Sequence, residues 1–354
     1  MVPNGWKHTK LGSVAELQRG FDLPSSKRIN GYIPIISSGG LSGYHNEFKV
    51  KPPGIVTGRY GTIGNVFYME ENFWPLNTSL WVKDFHGNEP FFIYYLLSSF
   101  DFKKFSDKTG VPGVNRNDLH AVKVFVPPKI EQRKIAKILS TWDRAISTNE
   151  CLIDNSKQQK KALMQQLLTG KKRLLDNTGK QLSAEWNDVT IGSVLSIGGG
   201  KDYKHLSSGN IPVYGSGGHM LNVSEYLYDG ESVCIGRKGT IDKPMFLNGK
   251  FWTVDTLFYT HSFINSLPQF IYQYFLTINW RKYSEASGVP SLSKSIIEKI
   301  KIKLPTLPEQ KLIIEVLINA DKEISLLEQQ LDDFKQEKKA LMQQLLTGKR
   351  RVLV

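Results

Sequence analysis

The segment KKALMQQLLTGK occupies residues 160–171, and the same twelve letters return at 338–349. The copies lie 178 positions apart (338 − 160), about half of the 354-residue chain. Sliding the sequence on itself by that distance aligns much more than this segment. IPIISSGG (33–40) meets IPVYGSGG (211–218), GRYGTI (58–63) meets GRKGTI (236–241), and FWPLNTSLWV (73–82) meets FWTVDTLFYT (251–260). GVPGVNRNDL (110–119) meets GVPSLSKSII (288–297), and PPKIEQRKIAKIL (127–139) meets PTLPEQKLIIEVL (305–317). Near the start LGSV (11–14) falls on IGSV (191–194), an offset of 180, so the second copy loses two residues in between. A register held this consistently marks an internal duplication, with a period far too long for a solenoid.

Each copy has two parts. In the first, short apolar runs such as PIISS, GIVTGRYG and VKVFVP alternate with Gly-rich turns and read as strands. One helical stretch interrupts them, PFFIYYLLSSFDFKKF at 90–105 and PQFIYQYFLTINWRKY at 268–283. Prolines then mark a boundary, Pro127 and Pro128 in copy one, Pro305 and Pro308 in copy two. Glu-Gln follows in each expected first helical turn, where a carboxylate complements the helix dipole.

From there each copy predicts one long helix. In copy two Ile313, Leu317, Ala320, Ile324, Leu327, Leu331, Phe334, Leu341 and Leu345 fall on alternating four- and three-residue steps, broken only at Lys338. That is a coiled-coil seam. The same register in copy one reads Ile135, Leu139, Trp142, Ile146, Ile153, Leu163 and Leu167, with polar Asn149, Ser156 and Lys160 suited to fixing register. Both helices end at Thr-Gly before a basic run, Lys171-Lys172-Arg173 and Lys349-Arg350-Arg351. A glycine cap with cations facing the negative helix end accounts for those charges better than phosphate contact does.

The expected fold class is therefore α+β: two similar mixed α/β globular domains joined by two long helices forming a coiled-coil spacer, with a pseudo-two-fold internal repeat. The expected boundaries are 1–128 and 186–306 for the globular domains, 129–173 and 307–350 for the helices, and 174–185 for a linker. A first helix of about 39 residues spans about 58 Å at ~1.5 Å per residue. The stretch 171–185 that joins this helix to the second domain, about 15 residues, reaches at most about 50 Å. The second helix is thus expected to run back antiparallel to the first, giving two domains held apart by a two-helix rod.

Composition limits the function. There are 46 Lys and Arg against 33 Asp and Glu, a net charge of +13 with a pI near 9.4. Such a balance points to a polyanionic partner, above all nucleic acid. The only cysteines, Cys151 and Cys234, supply neither a disulfide framework nor a metal cluster. No secretory signal opens the chain, and apolar runs such as FFIYYLL are too short to span a bilayer, so the cytoplasm is the expected compartment.

Two related basic domains suit a duplex with two half-sites. The copies differ, so the target should be asymmetric. Residues shared between copies build the scaffold; those that differ are where base readout can reside. The turns Gly58-Arg59-Tyr60-Gly61-Thr62 and Gly236-Arg237-Lys238-Gly239-Thr240 share their arginines, which suit either phosphate contact or a structural turn, and differ at Tyr60 and Lys238. After Ile-Pro, Ile36-Ser37-Ser38 becomes Tyr214-Gly215-Ser216, and Leu41 becomes His219. Beyond the shared Gly-Val-Pro, Asn115-Arg116 becomes Ser293-Lys294. Arg and Asn read guanine and adenine edges bidentately. The DNA-binding candidates are thus Ser37, Ser38, Arg59, Tyr60, Asn115, Arg116, Tyr214, Ser216, His219, Arg237, Lys238, Ser293 and Lys294.

Over its full length the chain resembles the specificity subunits of Type I restriction–modification systems, and the closely similar subunits of Type IIB enzymes. The resemblance rests on two target-recognition domains, each followed by a helical region. That region opens with Pro127-Pro128-Lys129-Ile130-Glu131-Gln132 or Leu304-Pro305-Thr306-Leu307-Pro308-Glu309-Gln310 and closes with Leu-Leu-Thr-Gly-Lys at 167–171 or 345–349. Copy one departs in having Ile130 where copy two has Pro308. The resemblance implies a non-catalytic subunit in which each domain reads half of a split double-stranded DNA target and helix length sets the gap. It also implies two methyltransferase subunits as partners and, through them, restriction and translocase subunits. Those partners would bring S-adenosylmethionine, ATP and Mg²⁺; this chain itself needs no cofactor.

The sequence agrees that catalytic motifs are missing. No Asn/Asp-Pro-Pro-Tyr/Phe tetrad of an amino-methyltransferase occurs, the nearest match being Lys51-Pro52-Pro53-Gly54. Gly199-Gly200-Lys201-Asp202 lacks the Ser or Thr and the distal glycine of a phosphate-binding loop. Glu309-Gln310-Lys311 could be half of a nuclease motif, but its counterpart Glu131-Gln132-Arg133 loses the lysine. A stand-alone methyltransferase or nuclease with diverged motifs, and a pure interaction scaffold, are the competing readings. Binding of S-adenosylmethionine by the chain alone separates the first, and salt-insensitive DNA affinity the second.

Overall fold

The computed structural model describes residues 3–106, 112–175, 179, 185–284 and 288–353. The expected linker lies mostly outside these residues, as do Gly110 and Val111 of the first Gly-Val-Pro. The chain divides into two units. Unit 1 comprises Met1–Cys151 with Gln329–Val354, and unit 2 comprises Leu152–Glu328. Each unit therefore contains one globular part and a section of both long helices.

In unit 1 the strand Ser79–Asp84 pairs antiparallel with Glu16–Arg19 on one side and Gly54–Gly58 on the other, and Val66–Met69 completes the four-stranded sheet. A second sheet joins Ile33–Ser37 antiparallel to Gly40–His45 and parallel to Trp74–Pro75. Helix α1 (Pro90–Ser98) packs Phe92, Ile93, Leu96 and Leu97 into the core, and the short α2 (Arg116–Ala121) adds Leu119. The two-stranded ribbon of Lys7–Lys10 with Lys123–Val126 leads into α3 (Lys129–Leu167).

Unit 2 repeats this plan. Leu257–His261 is flanked by Ser196–Gly199 and Ser232–Gly236, with Met245–Leu247 at the edge. Ser208–Gly215 pairs antiparallel with Gly218–Val223 and parallel with Lys250–Thr253. A single helical turn, α4 (Ile191–Val194), follows the strand Asn187–Thr190, which pairs with Lys301–Leu304. Helices α5 (Pro268–Phe275) and α6 (Lys294–Lys299) precede α7 (Leu307–Leu345). Both long helices have 39 residues.

Within each unit α3 and α7 run antiparallel, as cross-helix contacts show. In unit 1 Trp142 meets Phe334 edge-on at 5.7 Å, and buried Asn149 donates to Gln330 at 3.0 Å. Lys335 pairs with Glu150 at 2.8 Å, and Lys338 with Asp143. In unit 2 Lys157 pairs with Glu328 at 2.7 Å and Lys160 with Asp321 at 2.5 Å. These two pairs are the unit 1 pairs with the copies exchanged. Lys338 and Lys160 stand at matched seam positions, and each is held there in an ion pair. Asp143 also accepts the Tyr95 hydroxyl at 2.6 Å.

The Glu-Gln pair has a different role from the dipole complement expected. Glu131 and Glu309 are buried. Glu309 receives Arg173 in a two-pronged contact at 2.5 and 2.7 Å and the Trp186 indole N–H at 3.0 Å. Glu131 receives Arg351 and the Trp6 indole N–H in the same way. The basic runs past Thr-Gly therefore do more than face a helix end, since their third residue clasps the start of the antiparallel helix. Glycine does act at the turn: Gly170 and Gly348 have φ of 71° and 72°, a left-handed conformation that favours a residue without Cβ. Gln132 and Gln310 are each fully engaged. Gln310 accepts from Leu267 N–H at 2.8 Å and donates to Pro305 O and Asn265 O at 2.8 and 2.9 Å. Gln132 does likewise with Glu89 N–H, Pro127 O and Asn88.

Candidate nucleic-acid interface

The turns shared between copies are built by close backbone approach. A Cβ on Gly58 would sit 2.0 Å from Thr62 O, and one on Gly236 2.1 Å from Thr240 O, so only glycine fits at these positions. In unit 1 the N–H groups of Arg59 and Tyr60 both donate to Thr78 O, at 2.9 and 3.1 Å. Gly61 N–H donates to Pro112 O at 2.9 Å, and Val114 N–H to Arg59 O at 2.8 Å. These bonds join the turn to the segment carrying Asn115 and Arg116. In unit 2 Arg237 and Lys238 donate to Thr256 O, Gly239 to Pro290 O, and Leu292 to Arg237 O, which brings Lys238 beside Ser293 and Lys294.

Within this frame the candidates separate by role. The Arg59 guanidinium donates to Asn77 O at 3.4 Å and lies 4.5 Å from the Tyr60 ring centre. Arg237 donates to the matched carbonyl, Asp255 O, at 3.5 Å. These bonds tie each shared arginine to the loop that precedes the next strand, Ser79–Asp84 in unit 1 and Leu257–His261 in unit 2. The Ser37 hydroxyl donates to Gly40 O and accepts from Gly39 N–H, closing its own hairpin. Ser38 is buried, its N–H reaching Thr78 Oγ1 at 3.4 Å. Tyr214 packs with Cys234, Phe251 and Leu257 and touches the His219 ring, 5.7 Å away. Asn115 caps α2, its side chain accepting from Asn117 N–H at 2.9 Å.

Among the variable positions Asn115, Arg116, His219, Lys238 and Lys294 are exposed, whereas Tyr60, Tyr214 and Ser293 are half-buried. Arg116 is exposed, and its guanidinium donates to its neighbour Asn117 at 3.2 and 3.3 Å. At its matched position exposed Lys294 pairs with Glu298 at 3.6 Å. Arg59, Tyr60, Asn115 and Arg116 line one concavity in unit 1 together with Arg19, whose guanidinium meets Asp22 at 3.2 Å. Arg19 was not among the sequence candidates. The comparison of copies carried its signal, since Gly199 stands at its matched position under the 180 offset. In unit 2 Ser216 and His219 line a separate concavity with Lys204, another residue sequence reasoning missed. Arg237, Lys238, Ser293 and Lys294 lie outside that lining.

In the last turn of α2, burial lowers the pKa of His120 from its ordinary 6.5, with Arg116 pushing the same way and Glu16 opposing. Its Nε2 accepts Leu17 N–H at 2.8 Å, which requires the neutral ring. Among the described residues no cluster of three or more His, Cys, Asp or Glu is placed to hold a metal ion. Among them, too, no helix is long and apolar enough to cross a membrane.

The profile of the Type I restriction modification DNA specificity domain matches this chain twice, over residues 3–156 and 183–336. The specificity subunit of the Type I restriction enzyme MjaVIII from Methanocaldococcus jannaschii is 24% identical over 99% of this chain and 94% of its own length. The crystal structure of a Type I restriction–modification S subunit from M. genitalium superposes with a TM-score of 0.63 at 18% identity, covering 96% of both chains. A structure described as bearing on complex assembly and conformational transition of the Type I system gives a TM-score of 0.65 at 15% identity, over 99% of this chain and 100% of that one. The two solved structures show a shared fold.

Proposed function

Since the chain belongs to the Type I restriction–modification DNA specificity family, and is thereby the DNA target-specificity subunit and non-catalytic component of such a system, we propose that each of its units reads one half of an asymmetric, bipartite duplex target. The observation that carries this reading is the pairing of conserved frame and variable face between the copies. The same backbone bonds hold Tyr60 with Asn115-Arg116 in one unit and Lys238 with Ser293-Lys294 in the other. An identical frame presenting different side chains is what two readers of different half-sites need.

Arg116 is the strongest base-reading candidate, because it is exposed and, among the described residues, its guanidinium bonds to the adjacent Asn117 side chain. Arg19 and Lys294 extend the two faces toward phosphates or bases. The net charge of +13 supplies the sequence-independent part of the affinity. Partner methyltransferase subunits, and restriction subunits through them, carry the chemistry with S-adenosylmethionine, ATP and Mg²⁺.

The test is to map methylated sites in cells carrying the complete system with Arg116→Ala or Lys294→Ala. Arg116→Ala is expected to relax one position of one half-site, with a discrimination loss of about 1–3 kcal/mol there, and Lys294→Ala to leave that half untouched. Relaxation of both halves by either change would reject the assignment of one half-site to each unit.

A further inference from the structure

The last turn of α2 carries His120, half-buried where the helix packs on the turn Leu11–Ser13 and the strand Glu16–Arg19. A Cβ on Gly12 would lie 3.0 Å from the His120 Cβ, so this turn sits close on the histidine. The pairing of Glu16–Arg19 with Ser79–Asp84 slips between Glu16 and Leu17. At that irregularity Leu17 N–H donates to His120 Nε2 at 2.8 Å, a bond that ties the strand to the helix. Arg19 stands two residues along the strand from this bond, and Arg116 four residues back along α2. Both arginines line one concavity, so the bond joins the two elements that present them.

The duplication supplies an internal comparison. In unit 2 Glu298 stands where unit 1 has His120, and it pairs with Lys294 on its own helix at 3.6 Å. The matched strand Ser196–Gly199 runs beside Leu257–His261 in unbroken register, with Gly199 in place of Arg19. The slip in register, the histidine bond and the second arginine thus occur together in unit 1, and among the described residues unit 2 has none of them at the matched positions. Unit 2 builds the same strand-and-helix frame without them, so the frame alone does not explain the histidine.

We propose that His120 is a positioning residue for target recognition in unit 1: its neutral ring holds Arg19 and Arg116 at the spacing that discriminates bases, and unit 2 reads its half-site without such a bond. The inference rests on the reading that each unit serves one half-site. A protonated imidazole cannot accept a hydrogen bond, so protonation breaks the tie. The charges acting on the ring are Arg116 on α2 and Glu16 on the strand, the latter shared with Lys83 at 3.2 Å. Arg19 and Asp118 lie further along the same two elements at the concavity, and Leu11–Ser13 carries no charge. Burial and Arg116 together favour the neutral ring against Glu16. Discrimination by unit 1 is therefore complete at neutral pH and is lost as pH falls below the ordinary histidine value of about 6.5.

The experiment measures binding of the assembled methyltransferase complex to its cognate duplex and to duplexes with one wrong base pair in either half-site. Arg116→Ala marks the half that unit 1 reads. His120→Leu is expected to lose at least about fivefold of the discrimination at that half at about pH 7.5 and to leave the other half unchanged. The unmodified complex should show the same one-sided loss on going from about pH 7.5 to about pH 5. His120→Gln, whose amide oxygen accepts from Leu17 without titrating, should keep its discrimination at both pH values. The second half-site is the internal control, because a general loss of folding would weaken both. Full discrimination in His120→Leu, a flat pH profile in the unmodified complex, or an equal loss at both halves would overturn the proposal. If Arg116→Ala relaxes one half while His120→Leu relaxes neither, the inference alone falls. If Arg116→Ala relaxes both halves, the reading of one half-site per unit falls, and the inference with it.

Discussion

Glu309 is fully buried where α7 begins, and its carboxylate is satisfied by Arg173 and Trp186 together. A buried carboxylate that loses its cation keeps its desolvation penalty without compensation. Arg173→Ala is therefore expected to destabilise the protein by about 3–5 kcal/mol, read as a lower denaturant midpoint, whereas Lys172→Ala beside it should cost little. His120 gives a pH prediction. Its pKa is lowered in the folded chain, so the unfolded chain binds the proton more readily. Its contribution to stability is then complete above about pH 6.5 and is lost as pH falls below that. The unfolding midpoint should drop between about pH 7 and about pH 5, and the imidazole should titrate by NMR below its ordinary value. A midpoint at or above the ordinary value would mean that the Leu17 bond does not hold the ring neutral.

Among the elements, the long helices pair through polar contacts as well as through the apolar seam. Lys160 and Lys338 interrupt a hydrophobic repeat, and each meets an aspartate on the facing helix. Burial and the Asp143 carboxylate together push the Tyr95 hydroxyl pKa upward, which keeps it a hydrogen-bond donor. In a double-mutant cycle, Lys160→Met and Asp321→Leu should each destabilise, and the double variant should recover on the order of 1 kcal/mol of the combined loss. Strict additivity would mean the pair contributes nothing to helix register. The sequence indicated this much: polar residues at seam positions are register devices in coiled coils. Their partners were not legible, because Asp143 and Asp321 sit off the seam and only the antiparallel packing brings them to the lysines.

For the molecule as a whole, the duplication predicts that specificity is modular. Exchanging residues 1–126 for those of a relative should change one half of the methylated motif and leave the other intact. Binding of duplex DNA by the chain with its partners should weaken steeply with salt, with a log–log slope reflecting several neutralised phosphates. A flat dependence would make the net charge of +13 incidental.

The sequence by itself determined the duplication, the division of each copy into a strand-rich part and a long helix, and the family, because these depend on patterns that survive in one dimension. Periodicity, prolines at boundaries and repeated blocks need no knowledge of what touches what. Only the tertiary structure decided the roles of single side chains. Glu131 and Glu309 looked like complements to a helix dipole, yet folding brings an arginine from far along the chain to each. Arg59 and Arg237 suited phosphate contact or a structural turn equally, and folding sets each against a backbone carbonyl eighteen residues further on, Asn77 O and Asp255 O. Arg19 joins Arg116 in one concavity only because the sheet places its strand beside the turn. A contact is set by distance in space, and composition and spacing carry no record of it until the chain has folded.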